Sequence, residues 1–339
     1  MRRKLILFIL LLLPFNLFAA ENPWTHNLYF ENDLFFGTDS DYTNGVKYSF
    51  ISPDLAPDAP VNVTGKIPRT ALNFIHNLPL IKNAPAETGH KLEFGLGQNM
   101  YTPRDISRYD LIEDDRPYAG YSYLSTSYHR KSEDGDGWSQ MDTLEVQLGI
   151  VGPSSLAEQS QKFVHRVRAL QRPNGWDHQL EDEPALLLAF ERKWLYHPTY
   201  RQKFCTDLIG HAGLAIGNVM TYLNAGGEVR FGWNIPRSFS VSQIRPAGSN
   251  WLTTTRGFSS YLFAAVNGRA VLLDIFLDGN NFRDSHSVDK EPLVADLMTG
   301  ITVRYQRVSF SFAYTHRTRE FKRQPEHHGF GSMTLSYVF

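Results

Sequence analysis

Gln161 and His165 stand four residues apart in a segment, Leu156–Leu170, of helical composition. Residues at that spacing share a helix face. An imidazole placed there could take a proton from water near neutral pH. A solvated helix surface would carry the same residue types, so the residues alone leave both readings open. The helix has its own start and stop signals. Gly152-Pro153-Ser154-Ser155 ends a strand, and Ser155 with Glu158 has capping-box spacing. Phe163, Val167 and Leu170 give an apolar stripe, and Arg172-Pro173-Asn174-Gly175-Trp176 closes the segment.

A second cluster is rich in hard oxygen ligands of the kind calcium takes. It reads Glu31-Asn32-Asp33, then Thr38-Asp39-Ser40-Asp41-Tyr42-Thr43-Asn44-Gly45. Its spacing is not that of an EF-hand, and a polar hairpin would look alike. A third cluster is Asp114-Asp115-Arg116-Pro117-Tyr118, followed by Ala119-Gly120. Arg116 is placed at the rim of a strand, where a guanidinium can pair with phosphate or serve as an ordinary rim charge.

The elements that must position these groups are strands. Apolar and polar residues alternate at Leu92-Phe94-Leu96, at Leu144-Val146-Leu148-Ile150, at Val229-Phe231-Trp233-Ile235 and at Val308-Phe310-Phe312-Tyr314. Twelve strands are predicted near 24–33, 43–51, 90–101, 117–130, 141–151, 184–195, 203–216, 226–235, 258–278, 294–306, 308–317 and 331–339. They are long, near the ten residues a tilted barrel strand needs. Aromatic residues such as Trp24, Tyr101, Trp194, Tyr196 and Phe339 sit at strand ends, where girdles belong. The alternation Met333-Leu335-Tyr337-Phe339 at the end of the chain resembles the assembly signal of bacterial outer-membrane proteins. The expected fold is all-β, a twelve-stranded antiparallel transmembrane β-barrel with a short helix on an extracellular loop. Odd-numbered connections would then be extracellular. The long connection 52–89 would be periplasmic, with Pro68–His76 as a short amphipathic helix packed as a plug or flap. Asn62-Val63-Thr64 matches a glycosylation acceptor, a pattern that chance often produces.

Composition agrees. Of 339 residues, 42% are hydrophobic and 13% aromatic, which excludes disorder. The 34 basic and 35 acidic residues leave a net charge of −1, which offers no field for nucleic acid. One cysteine, Cys205, excludes a disulfide framework and a thiolate zinc cluster. Arg2-Arg3-Lys4, the apolar run Leu5–Phe18 and Ala19-Ala20 have the parts of a signal peptide, so 1–20 is expected to be removed and 21–339 to form the barrel.

The clusters together resemble the outer-membrane lipid A 3′-O-deacylase family. The matching stretches are Glu31-Asn32-Asp33, Tyr42-Thr43-Asn44-Gly45, Asp115-Arg116-Pro117-Tyr118-Ala119-Gly120 and Gly152-Pro153-Ser154, then Gln161, His165, Pro173, Gly175-Trp176, Gln179-Leu180 and Glu183-Pro184. The resemblance implies a twelve-stranded barrel with its active site between the wall and a loop helix, facing the outer leaflet of the bacterial outer membrane. It implies calcium-assisted ester hydrolysis similar to that of phospholipase A2, on lipid A of lipopolysaccharide. His165 would activate water, Gln161 would support the site, and Asn32 and Asp33 would sit at or beside Ca2+. Thr43 joins the catalytic group and Arg116 the substrate-binding group by their places in the motifs. Arg104 and Arg108 lie in the same loop as Arg116 and could also meet the substrate phosphates. A monomer is expected.

Two other functions fit parts of the pattern. An outer-membrane phospholipase would use a serine nucleophile, and Ser154 and Ser155 lie near His165, though without G-x-S-x-G context. A non-enzymatic porin or adhesin would share the strands; a porin would conduct ions in planar bilayers, whereas an inward load of Arg, Glu, Gln and Tyr can fill a small barrel and close the lumen.

Overall fold

The computed structural model describes residues 24–33, 41–55, 87–133, 136–198, 203–239, 242–252, 257–325 and 328–339. The expected signal peptide, the helix at Pro68–His76, the acceptor at Asn62 and the run Thr38–Ser40 lie outside the described residues.

Alternating residues build twelve strands: β1 (Thr25–Asn32), β2 (Asp41–Ile51), β3 (Glu87–Thr102), β4 (Ala119–Glu133), β5 (Trp138–Val151), β6 (Glu183–Tyr196), β7 (Phe204–Gly217), β8 (Met220–Trp233), β9 (Phe258–Asp274), β10 (Leu293–Tyr305), β11 (Val308–Arg317) and β12 (His328–Val338). Each pairs antiparallel with its neighbours in sequence, and β1 also pairs with β12, so the barrel is closed. Closure leaves no strand edge, which is what lipid demands of a sheet. Among the described residues two α-helices interrupt the connections, α1 (Ala157–Arg168) and α2 (Ile275–Asp278).

The period of two sorts side chains onto the two faces of the wall. In β6, Leu187, Ala189, Glu191, Lys193 and Leu195 are buried inside, while Leu186, Leu188, Trp194 and Tyr196 are exposed outside. Leu96, Leu124, Leu148, Leu208, Leu262 and Leu297 continue that outer apolar band. Water would not tolerate so large an apolar surface; bilayer hydrocarbon does.

The lumen is filled and charged. Arg230 donates two hydrogen bonds of 2.6 Å to Asp207, and Arg317 holds Asp296 at 2.6 and 3.0 Å. The connection between β8 and β9 folds back into this space. Its Ile244 amide donates to Glu31 (2.8 Å), Arg245 pairs with Glu191, and Lys47 Nζ donates to the Gly248 carbonyl at 3.4 Å. Its Phe239 and Trp251 pack against Met141, Leu195 and Ile209. The plug expected within 52–89 falls on residues outside the described ones; the segments described in the lumen are 235–239 and 242–252. At the far end, away from the termini, Phe276 of α2 stacks on Tyr101 at 4.0 Å. Arg116 donates to Glu320 at 2.7 Å beside Phe321. Burial pushes the Glu320 carboxyl up, but Arg116 and Arg317 outweigh it and hold the group down to about 2. The stability this latch contributes is present above the ordinary carboxylate range and is lost only as pH falls through about 2. Between cap and plug remains a cavity of about 60 Å³, lined by Tyr42, Tyr121, Tyr222, Arg245 and Arg317 among others, with room for a few waters. Such a lumen predicts no steady conductance in planar bilayers. Replacing Lys47 and Arg245 together with alanine should release the plug and produce openings; steady wild-type conductance would return the porin function to consideration.

Two strand boundaries differ from expectation by more than three residues. The ninth strand was expected to run to residue 278, but Asp274 ends it by accepting the Phe276 amide at 3.0 Å as a helix cap. The eighth begins at Met220, not 226, so the expected loop 217–225 shrinks to Asn218-Val219. Tyr222 and Asn224 point inward there, and an inward polar residue weakens the apolar signal that marks a strand.

Candidate active site

The site is built on the outside of the wall. Asn99, Tyr101, Tyr121 and Tyr123 line the lumen cavity. Their alternates Gln98 and Met100 on β3, and Gly120 and Ser122 on β4, therefore face outward. These four are direct register partners, Met100 with Gly120 and Gln98 with Ser122. The 3-10 turn Pro153–Ser155 lies on them. The Ser155 carbonyl accepts hydrogen bonds of 2.7 Å from both Gln98 Nε2 and Ser122 Oγ. Gly120 is bare because Ser155 Oγ and the Ala157 methyl occupy its side-chain space, at 2.1 and 2.3 Å from where a Cβ would stand. Gly120→Val should therefore lift α1 off the wall while the barrel still closes. The expected result is heat-modifiable folded protein with hydrolysis largely lost; retained turnover would show that the helix need not dock.

Helix α1 turns an unexpected face to the wall. Ala157, Gln161 and His165 are its buried residues, one per turn of four. The apolar stripe points the other way, with Phe163 63% and Val167 53% exposed. The helix start also differs from the expected capping box. Leu156 occupies the cap position in the left-handed region, φ 62°, and Ser155 Oγ accepts the Ala157 amide at 3.4 Å. Such backbone strain, on the order of 1–3 kcal/mol, tends to gather at functional sites.

Beneath the helix the polar pair is anchored from both sides. Trp176, from the 3-10 turn Gly175–His178, packs with Met100, Ile106, Tyr118 and Ala157. Its indole N–H donates to Gln161 Oε1 at 2.7 Å. That bond fixes the carboxamide orientation, and Gln161 Nε2 is left buried with no hydrogen-bond partner among the described residues. His165 Nδ1 donates to the Gln171 carbonyl, where the chain leaves the helix. The carbonyl can only accept, so in the neutral ring Nδ1 carries the proton and Nε2 the lone pair.

Asn32 and Thr43 reach the same face. Glu31 points into the lumen, where Tyr42 (2.7 Å), Ser332 (2.7 Å) and the Ile244 amide (2.8 Å) donate to it, so its neighbour Asn32 points out. Register joins Asn32 to Asn44 and Asn44 to Met100, a row that continues to Gly120 under the helix. The row spans three strand spacings, about 14 Å. A bulge between Tyr42 and Asn44 inserts Thr43, whose hydroxyl shares a 2.6 Å hydrogen bond with that of Thr102. Asn32 Nδ2 donates to the Thr43 carbonyl at 2.9 Å, and Asp33 is fully buried at the strand end. The structure thus sets Asn32 and Thr43 on the same outer face as Gln161 and His165, while Asp33 is buried at the end of β1.

Arg116 goes elsewhere. It is 1% exposed, paired with Glu320 and stacked over Tyr101 on the lumen side. Its loop is tied instead by Asp115, which accepts the Arg104 and Arg116 amides at 2.8 Å. The exposed Arg108 pairs with Asp110. The serines offer no nucleophile–base pair. Ser154 Oγ donates to Asp182 at 2.6 Å, and Ser155 Oγ is spent against Ala157. Gln98 and Ser122, which carry the helix, escaped the sequence reading. Their signal was a polar pair on an outward face otherwise made of Leu96 and Leu124, which lipid would not leave unsatisfied.

The profile of the family described as outer membrane protein LpxR matches residues 5–339. The chain belongs to the LpxR family. LpxR from Salmonella typhimurium, 17% identical, covers 93% of this chain and 100% of its own, with a TM-score of 0.71. The LpxR barrel is thus shared where the sequence has largely diverged. The β domain of the Bordetella autotransporter BrkA is 8% identical, covering 95% of this chain and 100% of its own at TM-score 0.46. The NalP translocator of Neisseria meningitidis is 9% identical, covering 94% and 87% at TM-score 0.40. No curated protein sequence matches the chain. The LpxR family places this barrel in the outer membrane.

Proposed function

We propose that this chain is an outer-membrane lipid A 3′-O-deacylase that hydrolyses the ester of the 3′-linked acyloxyacyl group with water as nucleophile. The observation that carries the reading is the orientation of α1, which presses Gln161 and His165 against the outer wall and keeps the lumen out of the chemistry. A substrate embedded in the outer leaflet can reach such a cleft without leaving the membrane.

His165 Nε2 accepts a proton from water as that water attacks the ester carbonyl. The carbon–oxygen bond to the glucosamine breaks, and the imidazolium returns the proton to the departing alkoxide. The Gln171 carbonyl holds the ring in the tautomer this requires. The Gln161 N–H, with no partner among the described residues and its carboxamide held by Trp176, would donate to the oxygen that gains charge. Phosphate recognition falls to residues other than Arg116, which serves the cap of the lumen.

Calcium fits the corner at Asn32 and Asp33. They offer a carboxamide and a carboxylate, hard oxygen ligands of the kind calcium takes. The Asn32 amide nitrogen is committed to the Thr43 carbonyl, which turns its oxygen away from that bond. No trio of His, Cys, Asp or Glu gathers among the described residues, but calcium needs none, because it accepts carboxamide, hydroxyl and backbone oxygens. Bound there, calcium would polarise the ester carbonyl and offset the charge on its oxygen.

Mass spectrometry of lipid A from cells with and without the protein tests the reading. Lipid A should lose the intact 3′-acyloxyacyl unit, and no acyl-enzyme should accumulate. Unchanged lipid A with hydrolysed phospholipid, or an ester trapped on Ser154 or Ser155, would move the case to a phospholipase.

A further inference from the structure

Helix α1 carries a second surface that the proposed chemistry does not use. Leu156, Phe163, Val164 and Val167 are 58%, 63%, 43% and 53% exposed. Phe163 and Val167 share one stripe, with Val164 at its edge, and lie opposite the buried Gln161 and His165. A helix in water hides such a stripe; this one hides Gln161 and His165 instead. We propose that the stripe is a lipid-contacting surface, seated among the acyl chains of phosphorylated lipids in the outer leaflet.

Continuity with the membrane face of the barrel names the occupant. The turn that starts α1 hangs from Gln98 and Ser122, both on the outer wall. One outward step further along the same strands come Leu96 and Leu124, partners in register, with Leu148 beside Leu124. All three are more than half exposed on the lipid side. The stripe on α1 therefore extends an apolar surface that already meets hydrocarbon. Charge agrees with the lipid class. Lys162 pairs with Glu158, which leaves Arg166 and Arg168 as exposed cations on the last turn. Cations flanking an apolar stripe are the arrangement by which an interfacial helix binds an anionic leaflet. Seated this way, α1 is a roof in contact with lipid, and the cleft beneath it opens sideways into the leaflet.

This surface rests on the proposed orientation of the barrel and not on the proposed hydrolysis, and the test separates them. Full-length protein is prepared with p-benzoylphenylalanine in place of Phe163, of Val167, or of Tyr109, which is 71% exposed on the 103–118 loop. Each is reconstituted in vesicles of phosphatidylethanolamine, phosphatidylglycerol and lipid A, irradiated, and weighed intact. Adducts of lipid mass should appear at 163 and 167 in several-fold excess over 109. Equal yields at the three positions, or protein–protein adducts alone, would overturn the proposal. In a second arm, Phe163→Ser with Val167→Ser should slow hydrolysis of vesicle-embedded lipid A several-fold while turnover in detergent micelles stays near wild type. Loss of turnover in both settings would assign the stripe to folding instead. Lipid adducts with no hydrolysis in any setting would leave the surface standing and remove the chemistry.

Discussion

His165→Asn should lower 3′-deacylation by about 10²–10⁴-fold, the usual worth of a positioned general base. Asparagine suits the test because its side-chain N–H can still donate to the Gln171 carbonyl, as His165 Nδ1 does. The end of α1 keeps its tie, and only the lone pair is removed. The residue lies outside the strands, so the barrel hydrogen bonds are untouched and heat-modifiable migration should persist. In the wild type, the base works only when neutral. The rate should therefore fall as the medium is acidified, with a slope near one proton, and that limb should vanish in the residual activity of His165→Asn. Near wild-type turnover in this variant would refute the assigned base.

Chelation should stop hydrolysis, and calcium should restore it. Asp33→Ala should raise the calcium needed for half-maximal rate by at least about 10–100-fold, the loss seen when even a supporting group of a metal site is removed. The carboxylate is fully buried at the end of β1, and the neighbouring Asn32 is held by the Thr43 carbonyl. The expected signature is an activity defect that excess calcium partly repairs, with circular dichroism unchanged. Full activity in excess chelator would remove the metal from the mechanism and leave Asp33 a structural acid.

The barrel was legible because its wall obeys one rule, a period of two, wherever one side meets lipid. Where the inner side turned polar, as at Tyr222 and Asn224, the rule faded and a strand start was missed. The end of β9 was lost to a local competition that Asp274 won by capping α2. The helix was legible from its composition and its stop signals, but not its direction of burial. A moment of hydrophobicity says that two faces differ; it does not say which faces the protein when the surroundings are apolar. Arg116 shows the same limit at one residue. A guanidinium at a rim invites phosphate, but its partner, Glu320, lies 204 residues away along the chain. The plug was beyond reach for a like reason, since Ile244 meets Glu31 across 213 residues with no periodic signal between them.

Glu31 has a meaning for when this protein can act. Its carboxylate is gripped by Ser332 of β12, its direct partner across the seam where the last strand meets the first, and by Ile244 of the inserted segment. The next residue is Asn32. The corner that would receive the substrate is thus tensioned from the inside by contacts that exist only after the ring has shut. A chain still in transit has no seam and no finished corner. Under the proposed hydrolysis, activity would therefore begin only when the barrel closes.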